Sequence, residues 1–218
     1  MKIITNDNEA FYWVRYYKEK RGFPKLHFPG GTHLNKKFYS GSLPVKIKDG
    51  KLYSIANPYS PDLDREKNTD DDNTIIKGRE PEKLLAQEKL FEKTGLRTSL
   101  SSLKHLHDFE VCNTDPSMKG QMHIKHFYYT ENFSGELLNL LNSNYLNRET
   151  STPLCVSAYV LVRKITWGHH FEALCDLILL FRNRMDPEYF NLLINTIKKR
   201  RRYMDFIYEK NKKKQYKK

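Results

Sequence analysis

Residues 82–96, EKLLAQEKLFEKTGL, carry the chain's most suggestive arrangement of chemistry-bearing side chains. Read as a helix, this stretch sets Glu88 and Glu92 one turn apart, with Glu80 just ahead. Lys89, Glu92 and Lys93 are three and four residues apart and share one face. Magnesium asks for several hard oxygen ligands in near-octahedral geometry. Two ammonium groups beside one carboxylate repel such an ion, so Glu80, Glu88 and Glu92 make only a weak metal site. The same lysines can hold a phosphate directly, supplying the neutralising charge that a metal would otherwise bring. A plain surface helix with alternating charges explains Lys89 and Lys93 equally well.

A second candidate is the C-terminal run. From Lys198 to Lys218 there are eleven Lys or Arg residues against Asp205 and Glu209, which places +9 of the net +12 there. The rest is nearly balanced. Tails of this kind meet phosphate backbones or acidic partners, and Lys198, Lys199, Arg200, Arg201 and Arg202 are its densest stretch. Tyr203, Phe206 and Tyr208 could add base stacking or dock the helix on the core. The alternative is a solvated helix end.

Other signals are weaker. Cys112, Cys155 and Cys175 are odd in number, widely spaced and without a CxxC pair, as expected of buried thiols in a reducing compartment. Zinc on Cys112, His105 and His107 lacks an evident fourth ligand. His123, His126, His169 and His170 sit in ordinary local contexts, and no Gly-rich phosphate loop or nucleophile elbow occurs. Asp70, Asp71 and Asp72 are unspaced acids in a polar stretch, the usual pattern of a solvated loop. No apolar run is long enough to span a bilayer, and the N-terminus lacks the apolar core of a signal peptide. The expected setting is intracellular: cytoplasm or mitochondrial matrix.

The elements that must position these residues are legible in part. With 39% hydrophobic residues, 218 residues can bury the core of one generous domain. EAFYWVRYYKEKRGF predicts a short helix whose aromatics pack on the domain, and Pro29-Gly30-Gly31 predicts a turn. Val45 and Ile47, then Leu52 and Ile55, flank Asp49-Gly50 in a hairpin. The polar run around residues 57–74 reads as an exposed insertion. A helix over 81–94 opens on Pro81 and stops at Gly95. SLKHLHDFEVC, HIKHFYYTENF and LCVSAYVLVRKI (154–165) read as strands, and two helices follow. The order predicts a mixed α+β domain with helices packed on a sheet. The expected division is an extension over 1–42, a domain over 43–185 and a basic helix over 186–218.

Hairpin, loop, a helix ending EKTGL and a later aromatic strand running into FSGEL together resemble the Nudix fold. In the family's box an early Glu precedes Arg-Glu-hydrophobic-x-Glu-Glu-x-Gly-hydrophobic. Laid on this chain, Glu80 falls on the early Glu, Glu88 on the Arg and Lys89 on the next Glu. Leu90 takes the hydrophobic place, Glu92 and Lys93 the paired Glu positions, before Gly95 and Leu96. Thr74 stands for the leading Gly, and Gly78 is the only glycine nearby. The spacing fits and the chemistry does not. The resemblance implies a catalytically degenerate Nudix-like protein that binds RNA or a nucleotide, with no cofactor, in the company of ribonucleoprotein partners. The alternative it implies is a divergent hydrolase of a nucleoside diphosphate linkage, in an mRNA cap or ADP-ribose. In that case Glu88 and Glu92 are catalytic and Mg²⁺ or Mn²⁺ is the cofactor. A nucleotide-sensing regulator would need a DNA-binding domain, and the stretch after 186 is short for one.

Overall fold

The computed structural model describes residues 3–21, 25–32, 38–59, 80–112, 122–138, 152–165 and 168–215. In chain order its elements are α1 (Asp7–Arg21), β1 (Lys25–His27), β2 (Gly30–Thr32), β3 (Phe38–Lys48) and β4 (Lys51–Tyr59). Then come α2 (Pro81–Thr94), β5 (Lys104–Cys112), β6 (Met122–Thr130) and β7 (Leu154–Ser157). The chain closes with α3 (Ala158–Lys164), α4 (Gly168–Leu180) and α5 (Pro187–Gln215). The acidic stretch 62–72, Thr74 and Gly78 lie outside the described residues.

The hairpin forms as expected. Asp49 and Gly50 both take positive φ (48° and 67°), which matches the twist of the paired strands β3 and β4. Among the described residues the strands form one mixed sheet in the order β1-β4-β3-β6-β5, with β2 added to β3 and β7 to β4. The β3–β6 pair is parallel and the other pairs are antiparallel. The fold is thus mixed α+β, with helices on a mixed sheet.

Both faces of the sheet are covered, and β4 shows it most clearly. Leu52 and Ala56 belong to one apolar cluster, with Leu43, Val45, Phe127 and the helices α3 and α4. Tyr53 and Ile55 point the other way, into a cluster with Leu90 and Leu96 at the end of α2. Strands buried on both sides lose the in-out alternation that a half-exposed sheet displays.

Two expectations are corrected. The run 154–165 is a strand only to Ser157, whose Oγ accepts from the Val160 N–H and starts α3. Ala158, Val160, Leu161 and Val162 are all buried, so the helix shows no polar side from which its period could be read. The expected turn at Gly30-Gly31 is instead strand β2, paired in register with Tyr39–Gly41. The N-terminal helix packs on the domain as expected, through α3, β4 and β7. The boundary drawn at 42/43 falls inside β3, and Leu26, Phe28 and Tyr39 from before it are buried in the main core.

The first half of α5 is also core, through Tyr189, Leu193 and Ile197. Arg200 ties it further. Its guanidinium donates to the carbonyls of Val162 and Ile165 at the end of α3 and lies 4.3 Å over the Phe171 ring. Those carbonyls have few alternative donors at a helix C-terminus. Replacing Arg200 by Met should therefore destabilise the protein by about 2–4 kcal/mol, because two charge-assisted bonds are lost and their acceptors are stranded. Arg202→Met, at an exposed position, should stay within about 0.5 kcal/mol of wild type in the same urea titration.

Candidate functional site

Helix α2 runs from a Pro81 start to Gly95, which takes the left-handed conformation (φ 79°) and closes on the Phe91 carbonyl. Its packed side comprises Leu85, Ala86, Lys89, Leu90, Lys93 and Thr94. Lys89 is 3% exposed and Lys93 7%. The Lys89 stem runs over Gly31: a Cβ there would lie 2.8–3.0 Å from its Cγ, Cδ and Cε. The absence of a side chain on β2 is what gives this lysine its space. Lys93 holds the helix down through its backbone, its carbonyl accepting from Asn57 Nδ2 at 2.9 Å.

The carboxylates are elsewhere. Glu80, Glu88 and Glu92 are exposed, and Glu92 Oε2 accepts from Lys89 Nζ at 2.7 Å. Glu80 forms a looser pair with Lys83 at 3.5 Å. Among the described residues no group of three or more His, Cys, Asp or Glu could hold a metal ion. Lys89, Glu92 and Lys93 are neighbours as the spacing predicted, but the two lysines lie along the sheet and the glutamate faces outward.

Acids, Glu80 among them, also act on Tyr128 at the β5–β6 side. Burial and the fields of Glu82, Asp108 and Glu80 push the Tyr128 hydroxyl up to about 12. Asp108 accepts at 2.8 Å from both His105 Nε2 and His126 Nδ1, and these bonds hold it below the usual carboxylate range against the opposing effect of burial. His107 pairs with Asp176 at 2.8 Å. The two histidines proposed for zinc are therefore engaged by carboxylates, and the Cys112 side chain lies outside the described residues.

The opposite face holds what sequence reasoning passed over. His169 and His170 open α4, and His170 is fully buried against Phe28, Tyr39 and Phe127. The Phe28 N–H donates to His170 Nδ1 at 3.0 Å, which leaves the ring proton on Nε2, 3.4 Å from the Tyr39 hydroxyl. Lys125 Nζ sits 3.3 Å from His169 Nε2 and 5.2 Å over the Tyr39 ring. Burial lowers all of them: Lys125 to about 8, His169 to about 3, His123 below its ordinary value and His170 well below it. The neighbouring cations Lys125, His123 and His126 reinforce the histidine shifts. Only contact across strands and a helix assembles this cluster, so no local motif announces it.

In the basic run, Arg200 caps α3 and Arg201 pairs with Glu172, while Lys198, Lys199 and Arg202 are exposed. Tyr203 and Phe206 are exposed too, at 65% and 61%, and the Tyr208 side chain lies outside the described residues. Among the described residues no helix is long and apolar enough to cross a membrane.

No family model and no curated protein matches the chain. Several solved structures resemble it, three of them as follows. The NUDIX domain of Shewanella oneidensis NrtR, complexed with ADP ribose, is 11% identical with a TM-score of 0.44, over 79% of this chain and 98% of that one. A MutT/nudix family protein from Enterococcus faecalis is 10% identical with a TM-score of 0.43, over 88% of this chain and 81% of that one. The E. coli ORF135 protein is 12% identical with a TM-score of 0.42, over 67% and 91%. Likenesses this distant assign neither a family nor an activity.

The depressed histidines fix a pH dependence. Below the ordinary imidazole value of about 6.5 the unfolded chain takes up protons that the folded chain refuses, so stability falls with pH by up to about 1.4 kcal/mol per unit for each such proton. The window runs from there down to the value of about 3 at which His169 itself titrates. The urea midpoint should drop steadily between about pH 6.5 and pH 4.5, ahead of ordinary carboxylate titration, and His169→Gln should flatten the fall. A constant wild-type midpoint across that interval would contradict this account.

Proposed function

We propose that this chain is a Nudix-like protein that binds RNA or a nucleotide through its phosphates and does not hydrolyse it. The observation that carries the reading is the ion pair from buried Lys89 to Glu92 at 2.7 Å. In the Nudix-like alignment of the helix, Lys89 and Glu92 stand where carboxylates would gather a divalent ion to activate water. An ammonium already neutralises the one carboxylate left there. The second lysine, Lys93, packs one turn further along the same buried side. Phosphate engagement then falls to exposed cations, and the outer half of α5 has the densest supply, with Lys198, Lys199 and Arg202 exposed beside Tyr203 and Phe206.

A second reading keeps one specific support. Glu80, Glu82 and Asp108 act together on Tyr128, so a divergent hydrolase would draw its acids from that side rather than from the helix interior.

Two measurements follow. The purified protein should release no nucleoside monophosphate from capped RNA or ADP-ribose in Mg²⁺ or Mn²⁺. Robust turnover would establish the hydrolase instead, with loss on Glu92→Gln assigning it to the helix and loss on Glu82→Gln or Asp108→Asn to the acids beside Tyr128. For binding, RNA affinity is compared across a salt series for wild type and for a variant with Lys198, Lys199, Arg202, Lys210, Lys212, Lys213 and Lys214 changed to Gln. Arg200 and Arg201 stay because they tie α5 to the core and to Glu172. Each lost phosphate contact should flatten the slope of log affinity against log salt by about 0.7 for single-stranded RNA. Equal slopes and affinities would remove α5 from the binding account.

A further inference from the structure

We infer that the N-terminus of α4, with Lys125, His123 and His169, is a binding site for a terminal phosphate group. It lies on the face of the sheet opposite α2, and it stands whether or not α5 engages RNA.

Helix α4 spans Gly168–Leu180 and carries no acid in its first turn. The leading N–H groups of a helix have no acceptor within it, and their aligned dipoles favour a negative charge. Among the described residues, a Cβ built at Gly168 meets nothing within 4 Å. The helix start is also held rigidly, since His170 accepts from the Phe28 N–H and packs among Phe28, Tyr39 and Phe127. His169, the preceding residue, lies against Lys125 of β6, with Lys125 Nζ 3.3 Å from its Nε2.

A second observation, independent of the helix end, points to a ligand. His123 is two residues before Lys125 on β6 and therefore on the same face of the strand. It is 9% exposed, and its Nε2 is buried with no hydrogen-bond partner. A buried imidazole nitrogen left unsatisfied is costly and calls for a partner. His123 and Lys125 share one face of β6, and Lys125 Nζ reaches His169 Nε2 at 3.3 Å, so the three groups lie on the same side of the strand beside the start of α4.

The chemistry of that place selects the ligand. It offers an ammonium, two imidazoles and helix N–H groups from different directions. A terminal phosphate presents three acceptor oxygens and close to two negative charges, and a carboxylate presents two oxygens and one charge. Burial and neighbouring cations disfavour the charged forms of His123 and His169, and burial lowers Lys125 only to about 8, which leaves it an ammonium near neutral pH. A bound dianion favours the charged form of each. A nucleoside monophosphate and free inorganic phosphate share this chemistry, and the test separates them.

The test uses the full chain and amide chemical-shift mapping. Inorganic phosphate, a nucleoside 5′-monophosphate and the unphosphorylated nucleoside are titrated in turn. The expected result is saturable shifts at His169, His170 and Phe171 with both phosphate probes and none with the nucleoside. Tighter binding of the monophosphate than of phosphate assigns the site to nucleotides, and equal binding assigns it to the phosphate group alone. Gly168→Asp is the decisive variant, because the open space at Gly168 admits the side chain while its carboxylate takes the helix end. It should weaken binding by about tenfold or more, and the neutral Gly168→Asn should not. Lys125→Met should weaken it similarly. No saturable shift at α4 with either phosphate probe would overturn the inference, as would Gly168→Asp binding like wild type.

Discussion

The constraint on which the rest depends is how closely α2 lies on the sheet. Leu85, Ala86, Leu90 and Thr94 make up an apolar contact of ordinary kind, but Lys89 and Lys93 are buried with them. A lysine can lie in such a contact only if its stem finds a slot and its ammonium finds an acceptor, because an uncompensated buried charge is costly. Gly31 supplies the slot and Glu92 an acceptor. That single arrangement decides the orientation of the helix's charges. The lysines are turned along the sheet, Glu88 and Glu92 are turned toward solvent, and among the described residues no group of three or more acids, histidines or cysteines converges on a metal site.

The two faces of the sheet have consequently different electrostatics. On the α2 side, acids collect toward β5 and β6, where Glu80, Glu82 and Asp108 all act on Tyr128. On the α4 side, basic groups collect, with His123, His169, His170 and Lys125 each depressed by burial. Burying several nitrogen bases together costs stability, because burial disfavours their charged forms. The aromatic setting of Phe28, Tyr39 and Phe127 around His170 fixes the start of α4 against the strands. Arg200 in turn fixes α5 to the end of α3. Positive charge in α5 thus divides into a structural part near the core and an exposed part beyond it.

What was legible in the sequence is what local physics controls. Asp49-Gly50 marked the hairpin because two successive positive φ angles leave few other residues able to serve. Pro81 and Gly95 bounded α2 for similar reasons. The 154–165 run misled because its helical part is buried almost all round and its strand is buried on both faces, so neither period shows. Gly30 and Gly31 suggested a turn, yet they serve close approach within a strand. The face shared by Lys89, Glu92 and Lys93 followed from spacing, but its burial did not, since charged residues at helical spacing ordinarily mark a solvated side. The histidine and lysine cluster was invisible for a simpler reason: its members come from separate elements, and each looks ordinary among its own neighbours.

The claim that the α2 carboxylates do not form a divalent-cation site can be tested without any substrate. Titrating Mn²⁺ into the protein and following the backbone amides by paramagnetic broadening reports where the ion resides. The account predicts no selective broadening of residues 88–93 as the ion is added, with any weak effect confined to scattered exposed acids. Selective, saturable broadening centred on Glu88 and Glu92, abolished by Glu92→Gln, would contradict it and place a metal at the helix.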